Sequence, residues 1–95
     1  MKRLRFTTRY KKDVKRIIHD KKKLSALLEV LRMLEHEIQI PDSYLPHMLT
    51  GDYAGHMECH IQGDFLLIWF DPLAGDIDLV RLGSHSELFG KNKKR

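Results

Sequence analysis

The chain's 95 residues, 42% of them apolar, suffice for one domain with helices layered on a sheet, and leave little room for a large cofactor site. Seventeen Lys and Arg against thirteen Asp and Glu give +4, and the basic residues gather at 2 to 23 and 91 to 95, which fits a polyanionic or acidic partner or simply a soluble surface. A single cysteine, Cys59, excludes an internal disulfide and a thiolate-rich zinc site, and the lack of both a membrane-length apolar run and a secretory signal in MKRLRFTTRYKK predicts a cytoplasmic protein with no membrane partner.

LRFTT, residues 4 to 8, is β-favouring and short, and Thr7 or Thr8 is placed to cap a following helix whose apolar face is Tyr10, Val14, Ile17 and Ile18. Leu24, Leu27, Leu28, Leu31, Leu34 and Ile38 then mark one face of a second helix about four turns long. Lysines 21 to 23 fall between the two, as a basic connection in a helical hairpin. Pro41 and Pro46 stop helical structure and open a loop of about fifteen residues, PDSYLPHMLTGDYAG. Its Tyr44, Leu45, Met48, Leu49 and Tyr53 are too apolar for disorder.

Beyond the loop the period becomes two. Met57, Cys59 and Ile61 alternate with His56, Glu58, His60 and Gln62, as in a half-buried strand with one oily face and two imidazoles on the other. Gly63-Asp64 suits a tight turn, FLLIWF reads as a central strand apolar on both sides, Pro72 to Gly75 makes the next turn, and DIDLVRL is the last strand. The expected fold class is α+β: an N-terminal strand and a helical hairpin packed on an antiparallel sheet, completed by a three-stranded C-terminal meander. The expected domain covers 1–95, with 91–95 a basic tail.

Six histidines are a surplus in so short a chain, and imidazole is the side chain suited to proton transfer near neutrality. His19 and His36 fall on charged helical stretches and read as surface residues. His47 in the loop, His60 on the first meander strand, Asp64 at its turn and His85 beyond the last strand could meet at one end or face of the sheet, or lie scattered over the surface; spacing leaves both open. His56 and His60 would stand about 13 Å apart on a strand and cannot share an ion. A metal site from His47, His60, Asp64 and His85 is geometrically allowed but has no local ligand signature, so no metal or cofactor is expected.

The segments IPDSYLPHML, ECHIQGDFLLIW and RLGSHSELFG, in this order behind a basic N-terminal strand and two helices, resemble the YafQ branch of the RelE-type bacterial toxins over about residues 3 to 90. The resemblance implies the RelE-like microbial RNase fold and a ribosome-dependent endoribonuclease that cuts mRNA, inhibits translation and is neutralised by a cognate DinJ- or RelB-like antitoxin of a type II toxin-antitoxin system. DNA would be met only through the antitoxin complex. It implies catalytic roles for His47, His60, Asp64, His85 and Phe89, and places Arg81 beside the phosphate. One departure is Met57, where related chains often carry an arginine.

These residues also suit metal-free RNA cleavage on chemical grounds. That reaction needs a base for the 2′-hydroxyl proton, an acid for the leaving 5′-oxygen, and positive charge near the phosphorane. His85 is expected as the acid, His47 or His60 as the base, Asp64 as the group that fixes a tautomer or raises a neighbouring pKa, and Phe89 as a stacking platform or a core plug. Basic residues elsewhere, the tail included, would hold RNA through phosphate contacts that weaken with salt. The competing expectations are a non-catalytic binding toxin of the ParE type and a small metal-dependent hydrolase.

Overall fold

The computed structural model describes residues 1–90; the basic tail expected at 91–95 lies outside the described residues. Strand β1 (Leu4–Phe6) leads into helix α1 (Thr8–Lys15), and of the two candidate caps it is Thr7 that serves. Its Oγ1 accepts the Tyr10 N–H at 3.2 Å, while its hydroxyl donates to the carbonyls of Leu79 (2.9 Å) and, more weakly, Val80 (3.2 Å). Tyr10 and Ile17 enter the core, but Ile18 lies past the helix end and is exposed.

Helix α2 (Lys21–Glu35) starts earlier than the leucine pattern indicates, because Asp20 accepts the Lys23 N–H and draws the three lysines into the first turn. The lysines are therefore helical, not a connection. Leu27, Val30, Met33 and Leu34 form its buried face, with Leu24, Ala26 and Leu31 beside them. Two residues of the expected stripe are exposed: Leu28 is turned away from that face, and Ile38 follows Glu37, whose φ of +59° has already left the helix.

Inside the long segment lie two single helical turns, Asp42–Tyr44 and Gly51–Tyr53, and between them a two-residue strand, β2 (His47–Met48). Only Leu49 of its apolar residues is fully buried; Leu45 and Met48 face solvent. Strands β3 (Met57–Gln62), β4 (Phe65–Phe70) and β5 (Ile77–Gly83) follow, and the sheet order is β1-β5-β4-β3-β2. The meander is antiparallel, as expected, with FLLIWF at its centre. The edge differs: β1 pairs with β5 in parallel, Leu4 opposite Ile77 and Phe6 opposite Leu79, so the sheet is mixed. Parallel neighbours need a long crossover, which the two helices and the returning strands supply.

Strand alternation divides the core. On one face Cys59, Ile61, Leu67, Trp69, Leu79 and Leu82 pack under α1 and α2. On the other, Leu66 and Ile68 are covered by Leu49 and by Leu88, which belongs to a short helix α3 (His85–Phe89) absent from the sequence expectation. Burying a leucine such as Leu88 contributes about 2 kcal/mol. Beyond the end of β1, α1 takes over the edge of β5: Asp13 accepts the Leu82 N–H at 2.9 Å and leaves no bare strand donor there. Among the described residues no helix is long and apolar enough to cross a membrane.

Candidate active site

The face of the sheet turned away from α1 and α2 carries His47, His60 and His85. Pairing register sets His47, Glu58, Ile68 and Arg81 side by side across β2 to β5, and His60, Leu66 and Gly83 in the adjacent row. Residues in such rows share a face, so β2 brings His47 next to the polar side of β3.

Gly83 ends the last strand, and an added Cβ there would lie 2.8 Å from Glu87 Oε1. Glycine is what lets α3 fold back so closely. The helix is fixed by a capping box: Ser84 Oγ accepts the Glu87 N–H at 3.2 Å, and Glu87 Oε1 accepts the Ser84 N–H at 2.8 Å. His85 is its first residue and Phe89 follows one turn later on the same side, with ring centroids 6.3 Å apart.

His47 and His60 are 6.3 Å apart between ring centroids, and His60 and His85 5.5 Å. The scattered arrangement is thereby set aside. Asp64 accepts the His85 backbone N–H at 3.2 Å and is hydrogen-bonded to Nδ1 of the same residue. These bonds from His85, the side-chain one first, hold the Asp64 carboxyl below the usual carboxylate range.

A common pattern runs through the three rings. Nδ1 of His85 faces Asp64, Nδ1 of His60 faces the Gly63 carbonyl at 3.3 Å, and Nδ1 of His47 faces the Leu45 carbonyl at 2.8 Å. Each partner is an acceptor, which assigns a hydrogen to every Nδ1 and leaves Nε2 as the atom at which a proton can move. For His47 that atom lies 3.1 Å from Oε1 of Glu58, whose residue is 0% exposed. The pair is complementary as imidazolium with carboxylate or as neutral ring with carboxylic acid.

Phe89 is half-buried against the second core and meets Tyr53 edge-on at 5.8 Å; the plug itself is Leu88. Arg81 departs furthest from expectation. It is 6% exposed, with Nε donating to Asp13 Oδ2 at 2.8 Å and Nη2 to Oδ1 at 3.3 Å. The Asp13 bond, with a further one to the Tyr53 side chain, raises its pKa above the ordinary arginine value. The guanidinium is thus buried with its charge already matched by a carboxylate. The side chain of Met57 packs against the helix-side core, away from the histidines.

Three residues of the site were missed in the sequence: Glu58, Asp13 and Tyr53. Glu58 shared the strand period with His60 and could have been found by it; the capping box of α3 was also legible as Ser84-x-x-Glu87. Glu58, His60 and His85 each offer a donor atom, all within 4.8 Å of one another, a set of two imidazoles and a carboxylate that suits an ion such as zinc. It has Glu58 in place of the His47 and Asp64 of the set allowed by the sequence.

Residues 2–90 match the family described as the bacterial toxin of a type II toxin-antitoxin system, YafQ. The mRNA interferase toxin YafQ of Escherichia coli K12 is 29% identical over 90 residues, 92% of this chain and 95% of that protein. A YafQ toxin of Haemophilus influenzae is 32% identical over 66 residues, 66% of this chain and 65% of that protein. Among solved structures, the Escherichia coli DinJ-YafQ toxin-antitoxin complex superposes with a TM-score of 0.83 at 27% identity, over 94% of this chain and 98% of the other. A metal-bound toxin from Helicobacter pylori gives 0.82 at 33% identity, over 94% and 100%.

Proposed function

The chain belongs to the YafQ family of toxins of type II toxin-antitoxin systems, and on that premise we propose that it is an endoribonuclease that cuts mRNA on the ribosome. A DinJ-type antitoxin would hold it inactive. The observation that carries the catalytic part is the run of three imidazoles whose Nδ1 atoms are all tied to acceptors, with Asp64 behind the last.

In this reading Nε2 of His60 takes the proton from the ribose 2′-hydroxyl, or Nε2 of His47 does so once it has turned from Glu58. The 2′-oxygen bonds to phosphorus, the bond from phosphorus to the 5′-oxygen breaks, and His85 Nε2 gives that oxygen its proton. The products are a 2′,3′-cyclic phosphate and a 5′-hydroxyl. Asp64 keeps the His85 hydrogen on Nδ1 and so aims Nε2 at the cleft. Because Asp13 already matches Arg81, positive charge at the phosphorane falls to the imidazoles, and Arg81 serves by holding Tyr53 beside Phe89. The attacking group belongs to the substrate, so this chemistry runs without metal.

Mapping mRNA ends in translating extracts tests the proposal: breaks at a fixed position within codons, ending in cyclic phosphate, are expected. Breaks unrelated to reading frame, or none, would overturn it. His47→Ala and His85→Ala should each abolish the breaks and restore growth while still binding the antitoxin.

A second reading rests on the donor set of Glu58, His60 and His85, and predicts that excess chelator stops cleavage. Cleavage that persists in chelator removes it. The partner surface would be the helical hairpin, where exposed Ile18 and Leu28 stand on either side of the lysine run 21–23 in the chain and suit an acidic, apolar antitoxin segment.

A further inference from the structure

The ring contacts do not stop at Phe89. Phe89 meets Tyr53, Tyr53 meets His56 at 5.7 Å and 77°, and His56 meets Phe70 at 5.2 Å and 47°. The sequence explains the alignment: His56 precedes β3 on the same parity as Glu58 and His60, and Phe70 follows Leu66 and Ile68 on β4, so both face the histidine side. Phe70 is 36% exposed on that open face, while Tyr53 is hydrogen-bonded to Arg81, itself pinned to Asp13. The catalytic scheme uses neither His56 nor Phe70.

We propose that His56 and Phe70, with Tyr53 as the wall between them and Phe89, form a second nucleobase platform. Two neighbouring unpaired bases of the RNA would then be stacked, one at Phe89 and one over His56 and Phe70. The inference rests on the proposed ribonuclease reading and names how that site holds its substrate. Unpaired RNA is the occupant because single-stranded bases are recognised by stacking on Phe, Tyr, Trp and His side chains, and because the strip is continuous with the imidazoles that would cut it. Tyr53 standing edge-on to Phe89 at 89° makes a corner that separates the two stacking places.

The test is a protein-by-RNA cycle in translating extracts. Messages carry one abasic nucleotide at each position from two before to two after the cut, and cleavage rates are compared for the wild-type protein, Phe70→Leu, Phe70→Tyr, His56→Leu and Phe89→Leu. Each variant's thermal midpoint is checked first. Removing a base that stacks should slow the wild-type protein by between about 5- and 150-fold. Phe70→Leu and His56→Leu should each slow cleavage and lose sensitivity to base removal at one position, Phe89→Leu at its neighbour, and Phe70→Tyr, which keeps a ring, should retain the sensitivity that Phe70→Leu loses. If Phe70→Leu and His56→Leu keep full sensitivity everywhere, or lose it at the same position as Phe89→Leu, the second platform does not exist. Absence of any cleavage by the wild-type protein is a different result: it defeats the ribonuclease reading and the platform with it.

Discussion

Asp64 and His85, 21 residues apart in the chain, are joined twice, through the backbone N–H of His85 and through its Nδ1. One carboxylate thus sets both where the imidazole stands and which nitrogen faces the cleft. Asp64→Asn keeps an acceptor oxygen but loses the charge and admits a flipped amide. Cleavage should fall about 10- to 100-fold, short of the roughly 100- to 10,000-fold expected for His85→Ala. Because Asp64 is exposed, the thermal midpoint should barely move. Unchanged cleavage in Asp64→Asn would show that the tautomer needs no help from the hairpin.

Arg81 and Asp13 make the opposite kind of pair, buried on both sides. Asp13→Ala strands the guanidinium and frees the Leu82 N–H, and should destabilise the fold by about 3 kcal/mol in chemical denaturation. Replacing both with apolar residues, Asp13→Leu with Arg81→Met, should recover much of that loss. Activity should stay low in the double variant, since Tyr53 loses its anchor beside Phe89. Full activity there would argue that Arg81 is structural only.

The layers, the antiparallel meander and the central FLLIWF strand were legible because periodicity and turn residues are local. The meeting of His47, His60 and His85 was not, because it depends on register between β2 and β3 and on a two-residue strand too short to have a period. The parallel pairing of β1 with β5 is likewise non-local. The pairing of Arg81 with Asp13 was hidden for a related reason: Asp13 looks like one more charge on a basic helix until α1 is laid along the edge of β5. Periodicity placed Leu28 and Ile38 on a buried face, and the actual axis and end of α2 left both outside.

Lys2 and Asp71 supply a pH-dependent tie between the start of the chain and the turn after β4. Lys2 Nζ lies 2.6 Å from Asp71 Oδ1, which also accepts the Leu73 N–H at 2.8 Å. Burial pushes this carboxyl up, but the bonds from Lys2 and Leu73 outweigh it, so its pKa lies below the ordinary value. A carboxyl depressed by folding stabilises above its unfolded pKa, and the benefit disappears as pH falls through the lower folded value. Asp71→Asn should therefore cost about 1 kcal/mol at pH 7, and the gap to wild type should close in acid, below the ordinary carboxylate pKa of about 3.9. Thermal midpoints of both proteins across that range measure it; a gap that stays constant in acid would contradict the assignment.

Gly83 links the last strand to His85 and Phe89 of α3. A methyl group there would stand 2.8 Å from Glu87 Oε1 and 3.4 Å from Leu88 Cδ2. The carboxylate is the mobile neighbour, so Gly83→Ala should push Glu87 off the Ser84 N–H and open the capping box, a loss of about 1 to 2 kcal/mol. The consequence for cleavage should exceed that figure's effect on the folded population, because α3 carries His85 and Phe89 and a small displacement of the proposed acid is costly in rate. Glu87→Gln keeps an acceptor for the Ser84 N–H and should leave cleavage close to wild type. If Gly83→Ala and Glu87→Gln cut equally well while only the former loses stability, then α3 tolerates loosening and the position of His85 is set by Asp64 alone.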